Sequence, residues 1–365
     1  MLTGKVISLD IGNRNMHLVQ GRAKGNVAEI EICAQARTPD GSVRDGQIID
    51  LPALSKALRE LVRSSKASAD RAIVVVKSTS IINREITIPV VKPEDLRQAV
   101  IFEMEQYVPN IGNDYAMEFV IADRMTAGGG DQYKLRVNAV PRPMVAIYSD
   151  LLKEAGLKPV VMDTAANALS KMVTRNRKLA ANTNGLTSEA TGADSPWTWS
   201  KAAFIDMGYE GTEINIFNED KLVFSRLLQI GSRSMDAELL TALQVDPTAL
   251  EARKTAADIE QTSGGGEEED LNSVVRAHLQ RWAGEIQTIL QFYAGRAGDS
   301  RPEVFYLHGG NAAIGSLCPF FASVLGAPVF RIESLPVLHR TAARRSESYD
   351  IGPFVNTASA LFRNE

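Results

Sequence analysis

The stretch that decides the fold is VISLDIGNRNMHLVQG, residues Val6–Gly21. It opens on an apolar run, reaches Asp10 and Gly12, turns through polar residues and resumes as a second strand. Two readings are open at this point: a turn and nothing more, or a phosphate cradle with a carboxylate on its metal side. A lone Asp-x-Gly decides nothing, because both residues are common in turns. The chain, however, repeats it. FIDMGYEGTEINIF, Phe204–Phe217, sets Asp206 and Gly208 between strands in the same order.

Two such hairpins predict duplicated lobes. A glycine lets backbone N–H groups approach phosphate oxygens closely. An aspartate at a strand end can hold hydrated magnesium, which favours one or two carboxylates plus waters and phosphates. Facing each other across a cleft, the hairpins would clamp the phosphate tail of a nucleotide. A late strand, EVFYLHGG, ends in Gly309-Gly310, where the lack of side chains would allow the flat approach of an adenosine.

Outward from the hairpins, the chain reads as an α/β protein. Three early strands are followed by the helix LPALSKALRELVRSS, with Leu51, Leu54, Leu58 and Leu61 at helical spacing, and then by the buried strand RAIVVVKS. Residues 1–79 and 153–176 form the expected first lobe core, and 80–152 a small α+β module inserted in it. Residues 177–200 read as a flexible linker. Residues 201–233 and 298–345 form the second lobe core, 234–297 a helical subdomain, and 346–365 a closing segment. TSGGGEEED reads as a solvated acidic loop, with a long helix from Leu271.

Bulk properties narrow the function. The 365 residues are 44% hydrophobic and 23% charged, ordinary for a globular protein of two lobes. A net charge of -4 offers no electrostatic footprint for nucleic acid. Two distant cysteines, Cys33 and Cys318, and four scattered histidines argue against a disulfide framework or a zinc site and suit a reducing compartment. No apolar run approaches the roughly 20 residues that span a bilayer. The closing FVNTASALFRNE is too short and polar for an anchor. The expectation is a cytoplasmic protein that meets the membrane only through a partner.

The order of motifs resembles the superfamily of actin, the ATP-dependent heat-shock chaperones and the sugar kinases. Asp10-Ile11-Gly12 matches the first phosphate motif, and Asp206-Met207-Gly208 with Thr212 the second. VMDTAANAL resembles the first connecting motif, and LHGGNAAI the adenosine motif. Within that superfamily the chain resembles the PilM family of type IV pilus assembly proteins, relatives of the division protein FtsA. DGQIID at 45–50, EQYVP at 105–109, EAGLKPVVMD at 154–163 and GSRSMDAELL at 231–240 carry that likeness.

The resemblance implies two RNase H-like, actin-type lobes with a small α+β subdomain inserted in the first. It implies ATP between the lobes and a docked N-terminal cytoplasmic peptide of a PilN-like inner-membrane protein. Pilus assembly motor components would be further partners. Asp10 and Asp206 would face magnesium through water, and they and Asp163 are the candidate catalytic residues of what is at most a slow ATPase. Gly12, Asn13 and Asn15 would follow one phosphate loop, and Gly208, Gly211 and Thr212 the other. Glu251 and Lys254 would border ribose and base, and Gly309 and Gly310 the adenosine.

The chain departs from the family pattern in places. Asn13-Arg14-Asn15 stands where hydroxyl residues are usual, and His17 where a lysine is expected. Tyr209 and Glu210 replace small residues in the second loop. Strand alternation places His17 at the surface. Asp163 equally suits a helix cap. Phe102, Tyr107 and Phe119 suit either a peptide groove or a core. Two alternatives therefore stay open: a small-molecule kinase of the same superfamily, and a scaffold that no longer binds nucleotide.

Overall fold

All six residues of the strand Val6–Ile11 (β1) are buried, as a strand covered on both faces requires. The computed structural model describes every residue except 1–3, 128–129, 183–196, 198, 245, 260–266, 298–300, 342–349 and 363–365. After β1 come β2 (Asn15–Lys24), β3 (Val27–Arg37) and the short ladder β4 (Val43–Arg44) with β5 (Gln47–Ile48). Helix α1 (Leu51–Ser64) starts where the Asp50 carboxylate accepts the Ala53 N–H, and Pro52 sits in its first turn, where no amide is needed. The chain continues through β6 (Arg71–Val76), β7 (Ile82–Pro89), α2 (Pro93–Glu105) and the single turn α3 (Ile111–Asp114). Strands β8 (Tyr115–Ala127) and β9 (Gly130–Pro141), helix α4 (Arg142–Glu154), strand β10 (Lys158–Thr164) and helix α5 (Ala165–Asn182) follow. The second half holds β11 (Lys201–Met207), β12 (Thr212–Asn218), β13 (Lys221–Leu228), α6 (Arg233–Leu243), α7 (Pro247–Ala256) and α8 (Glu267–Ala297). It ends with β14 (Val304–His308), α9 (Leu317–Leu325), β15 (Val329–Arg331), β16 (Leu338–Arg340) and α10 (Val355–Ser359).

The two large sheets share one connectivity. The first runs β10-β6-β1-β2-β3-β16 and the second β15-β14-β11-β12-β13. In each, three antiparallel strands form a meander, and two parallel strands then join on the other side of the first strand. This is the expected α/β pair of RNase H-like lobes. The repeat extends to single residues. Asp10 faces His17 on one neighbour and Val75 on the other. Asp206 faces Glu213 and His308. Each turn closes with the same bond: the Gly12 N–H donates to the Asn15 carbonyl at 3.0 Å, and the Gly208 N–H to the Gly211 carbonyl at 3.1 Å.

A third sheet, β7-β9-β8, has its own small core of Ile86, Ile88, Val100, Met104, Leu135 and Val137. Its Arg136 reaches the second lobe, donating to the Leu222 carbonyl at 2.9 Å.

Several boundaries differ from the sequence reading. Helix α4, assigned to the inserted module, packs Met144, Tyr148 and Leu151 with Leu54 and Leu58 of α1 under the first sheet. Residues 142–152 therefore belong to the first lobe. Strand β16, assigned to the second lobe, pairs in parallel with β3. Helices α6 and α8 form no separate subdomain core: Met235, Leu239, Leu279, Trp282 and Ile286 cover Ile205, Ile214 and Ile216 of the second sheet.

The expected linker also begins as structure. Helix α5 runs to Asn182, and Trp197 is buried, stacked on Tyr306 with centroids 5.1 Å apart. Residues 183–196 and 198 of that stretch lie outside the described residues. In TSGGGEEED, residues 262–266 likewise lie outside them, and Glu267 already starts α8. The closing segment is a wedge. Val355, Ala358, Leu361 and Phe362 join one core with Val19 and Ile73 of the first sheet and Phe204 and Tyr306 of the second. Among the described residues, no helix is long and apolar enough to cross a membrane.

Candidate functional site

The carboxyl ends of β1 and β11 open on a cleft of about 790 Å³ between the lobes. Ligands of open α/β sheets bind at such strand ends. Asp10 and Asp206 are both buried there. Between them lies the ammonium of Lys77, 2.5 Å from Asp206 Oδ2 and 3.7 Å from Asp10 Oδ2. The Asn356 amide, from α10, donates to Asp10 Oδ2 at 3.0 Å and to Asp206 Oδ2 at 2.8 Å.

Charge and burial set the protonation states. Burial alone would lower the Lys77 pKa, but Asp10 and Asp206 outweigh it and hold the ammonium well above its ordinary value. Burial alone would raise Asp206, yet Lys77, His308 and Asn356 hold it down at about 2. Burial pushes His17 and His308 below their ordinary value despite the nearby carboxylates, so both rings are neutral at pH 7.

Lys77 is positioned by the DGQIID turn. The Asp45 carboxylate accepts the Thr79 N–H at 3.0 Å, and also the Thr79 hydroxyl. Gly46 has φ +69°, and a Cβ there would sit 2.1 Å from the Lys77 carbonyl oxygen. The Tyr148 hydroxyl donates to the Gly46 carbonyl at 2.8 Å and holds the turn from below. Only glycine allows this approach.

The tips of the two hairpins meet across the cleft. The Asn13 amide donates to the Glu210 carboxylate, and to the Val43 carbonyl at 3.0 Å. Arg233 also pairs with Glu210, at 2.6 Å. Arg14 reaches Asp236 at 2.6 Å and Glu251 at 2.7 Å, with its guanidinium 5.0 Å from the centre of the Tyr209 ring. The Glu210 carboxylate is thus compensated by Asn13 and Arg233.

Of the residues singled out in the sequence, Asp10, Gly12, Asn13, Asn15, Asp206, Gly208, Gly211, Glu251, Gly309 and Gly310 line the cleft. Gly309 has φ +89°, and a Cβ there would come within 2.3 Å of Asp206 Oδ1. Three others are not brought to its wall. The Thr212 hydroxyl donates to the Ile230 carbonyl and accepts the Trp282 indole N–H, each at 2.6 Å. Lys254 is buried behind the wall on Asp236, at 2.8 Å. There burial raises the Asp236 carboxyl, against the pull of Lys254. Asp163 pairs with Lys171 and accepts from the Asn167 amide at 2.7 Å. The α5 N-terminus is capped instead by Thr164, whose hydroxyl accepts the Asn167 N–H.

His17, expected at the surface, lines the cleft edge-on to Phe354, with centroids 5.3 Å apart. Lys77 and Asn356 are the members that the sequence reading missed. The only signal for Lys77 was the lysine missing at position 17. For Asn356 it was a polar residue inside the apolar FVNTASALF.

Two carboxylates alone would suit a hydrated divalent cation. Here the Lys77 ammonium and the Asn356 amide already engage both, and among the described residues no group of three His, Cys, Asp or Glu could hold a metal. The donor set as built does not fit magnesium. What the cleft offers an anion is the Lys77 ammonium, two glycine turns, and Arg14, Arg44 and Arg233 along its wall.

Among solved structures, the chain is similar to the PilM-PilN type IV pilus biogenesis complex, with a TM-score of 0.77 and 21% identity over 98% of this chain and 97% of that one. It is also similar to the ethanolamine utilization protein EutJ from Carboxydothermus hydrogenoformans, with a TM-score of 0.55 and 14% identity over 99% and 90%. A third is MreB5 of Spiroplasma citri bound to ADP, with a TM-score of 0.50 and 12% identity over 97% and 95%. These likenesses show the fold. No curated protein matches the chain. The family model of the type IV pilus assembly protein PilM matches residues 8–334, so the chain belongs to the PilM family.

Proposed function

We propose that this chain is an assembly protein that docks the N-terminal cytoplasmic peptide of a PilN-like inner-membrane protein and is clamped by ATP between its lobes. Its work is binding; any ATP turnover is slow. The partner's tail would hold it at the cytoplasmic face of the inner membrane, within reach of pilus assembly motor components. The observation that carries the nucleotide half is the duplication itself. Two hairpins with the same turn bond face each other across one cleft, each with a buried aspartate at the strand end. Gly12, Asn13 and Asn15 on one side, and Gly208, Gly211, Gly309 and Gly310 on the other, would surround the nucleotide.

The docking half is supported by the inserted module. Phe102 is 68% exposed, and Tyr107 and Ile121 are each 48% exposed. Extended peptides bind such modules through a sheet edge and apolar side-chain contacts. The kinase alternative loses its one candidate base, since the Asp163 carboxylate is held by Lys171. The scaffold alternative has one observation in its favour: the first hairpin tip is tied to the second by Asn13–Glu210 and to helix α6 by Arg14–Asp236.

Calorimetric titration tests both halves. ATP should bind saturably, and a synthetic N-terminal peptide of the PilN-like partner should bind with an affinity that ATP changes. Phe102→Asp with Ile121→Asp should weaken peptide binding at least about tenfold, a loss of about 1.4 kcal/mol, and leave ATP binding intact. Absence of ATP binding at millimolar concentration would leave the scaffold reading. Undiminished peptide binding by the double variant would refute the docking surface.

A further inference from the structure

We propose that Lys77 is the resident cation of the cleft, taking the place between Asp10 and Asp206 that a divalent metal would need, so that a nucleoside triphosphate is held without Mg²⁺. The second half of this proposal rests on the nucleotide reading above; the first does not.

Four observations carry it. The ammonium contacts both carboxylates, one from each lobe, at 2.5 and 3.7 Å. The same oxygens also accept the Asn356 amide, so Asp206 Oδ2 already takes two N–H donors and Asp10 Oδ2 one. Magnesium needs near-octahedral oxygen ligands at roughly 2.1 Å, and it would have to displace these donors to reach the same lone pairs. The lysine is also not a swinging surface group. Only 23% of its side chain is exposed, Gly46 packs closely on its carbonyl, and Asp45 holds the chain two residues on at Thr79.

Two carboxylates face one ammonium, and the neighbouring rings of His17 and His308 are neutral at pH 7. The central trio keeps one net negative charge, and the further cations lining the cleft are Arg14, Arg44 and Arg233. An ammonium is a compact point charge with three donors. One is directed at Asp206 Oδ2, and Asp10 Oδ2 at 3.7 Å lies beyond hydrogen-bond range, which leaves two for phosphate oxygens. The first-lobe lysine that the family pattern places on β2 is thereby supplied by the residue that follows β6.

The decisive measurement is Mn²⁺ binding to the protein alone, read by the loss of the free-ion electron paramagnetic resonance signal. Wild type should leave the ion free. Lys77→Met, which keeps the stem and removes the charge, should bind a single Mn²⁺ at least about tenfold more tightly. Wild-type protein that binds one Mn²⁺ as tightly as the variant would overturn the proposal. A variant that gains no site would do the same.

A second measurement needs no substitution. The ATP affinity of wild type should agree within about twofold between EDTA and excess Mg²⁺, and a loss of about tenfold or more in EDTA would overturn metal independence. ATP that binds under neither condition would refute the nucleotide clamp, and the Mn²⁺ comparison would still decide the role of Lys77.

Discussion

Glu213 should make the protein less stable as pH rises toward neutrality, and Glu213→Gln should remove that dependence. Glu213 is the cross-strand neighbour of Asp206 and is fully inside the second lobe. Its carboxylate accepts the Asn215 amide at 3.2 Å. Burial raises its pKa from 4.5 to about 7, against the pull of Lys77 and of the Asn215 bond. The sign follows from linkage. The fold favours the protonated form, so the contribution is fully present below pH 4.5 and is lost as pH rises through about 7. Each tenfold change in proton affinity is worth about 1.4 kcal/mol, so ionising Glu213 inside the fold costs about 3 kcal/mol. Glutamine keeps the acceptor and the shape and never ionises. The stability advantage of the variant should therefore grow between pH 5 and pH 7 and level off above, reaching about 3 kcal/mol relative to pH 4.5. Urea unfolding across that range measures it. The buried indole of Trp282, bonded to Thr212 beside Glu213, is a local fluorescence reporter. A wild-type-to-variant difference that does not change with pH would refute the reasoning, because it would mean that Glu213 titrates alike in the folded and unfolded chain.

Two further outcomes separate structural from site residues. Lys171→Met removes the ammonium that the buried Asp163 faces, and breaking a buried pair costs about 3 kcal/mol or more. Denaturant unfolding should show that loss while calorimetric ATP affinity stays unchanged; an ATP defect in a stably folded Asp163→Asn would return Asp163 to the site. Gly309→Ala places a Cβ 2.3 Å from Asp206 Oδ1 at a φ of +89°, whereas Gly310→Ala meets open space. Thermal melting should show the first variant destabilised by about 2 kcal/mol or more and the second by no more than about 0.5 kcal/mol.

What could be read from the sequence was whatever repeats or alternates locally. Asp10 and Asp206 each end an apolar strand before a glycine turn, and the structure sets both at the cleft. Gly309-Gly310 follows a buried strand and lies beside Asp206. What could not be read depends on contacts between distant parts of the chain. Lys77 follows RAIVVV, where a lysine ordinarily marks the exposed end of a strand; its ion pair with Asp206 reaches across to the second lobe. Asn356 meets Asp10 across 346 positions. Strand β16 is three residues long and carries no alternation, so only its pairing to β3 identifies it. Thr212 and Lys254 sit at motif positions, yet their side chains satisfy buried partners behind the wall.

The repeat itself explains why the site is asymmetric. Asp10 and Asp206 occupy equivalent positions, facing Val75 and His308 on equivalent strands. Two residues beyond those neighbours stand Lys77 in one lobe and Gly310 in the other. Glycine at both would leave two buried carboxylates facing each other with only an amide between, a repulsion that low dielectric makes severe. Lysine at both would crowd two ammonium groups into one seat and fill the space beside the second hairpin. One lysine relieves the repulsion between the two carboxylates and one glycine keeps the cleft open. Duplication thus supplies the paired backbone turns, and the asymmetry of the site comes from positions where the copies differ, Lys77 against Gly310 among them.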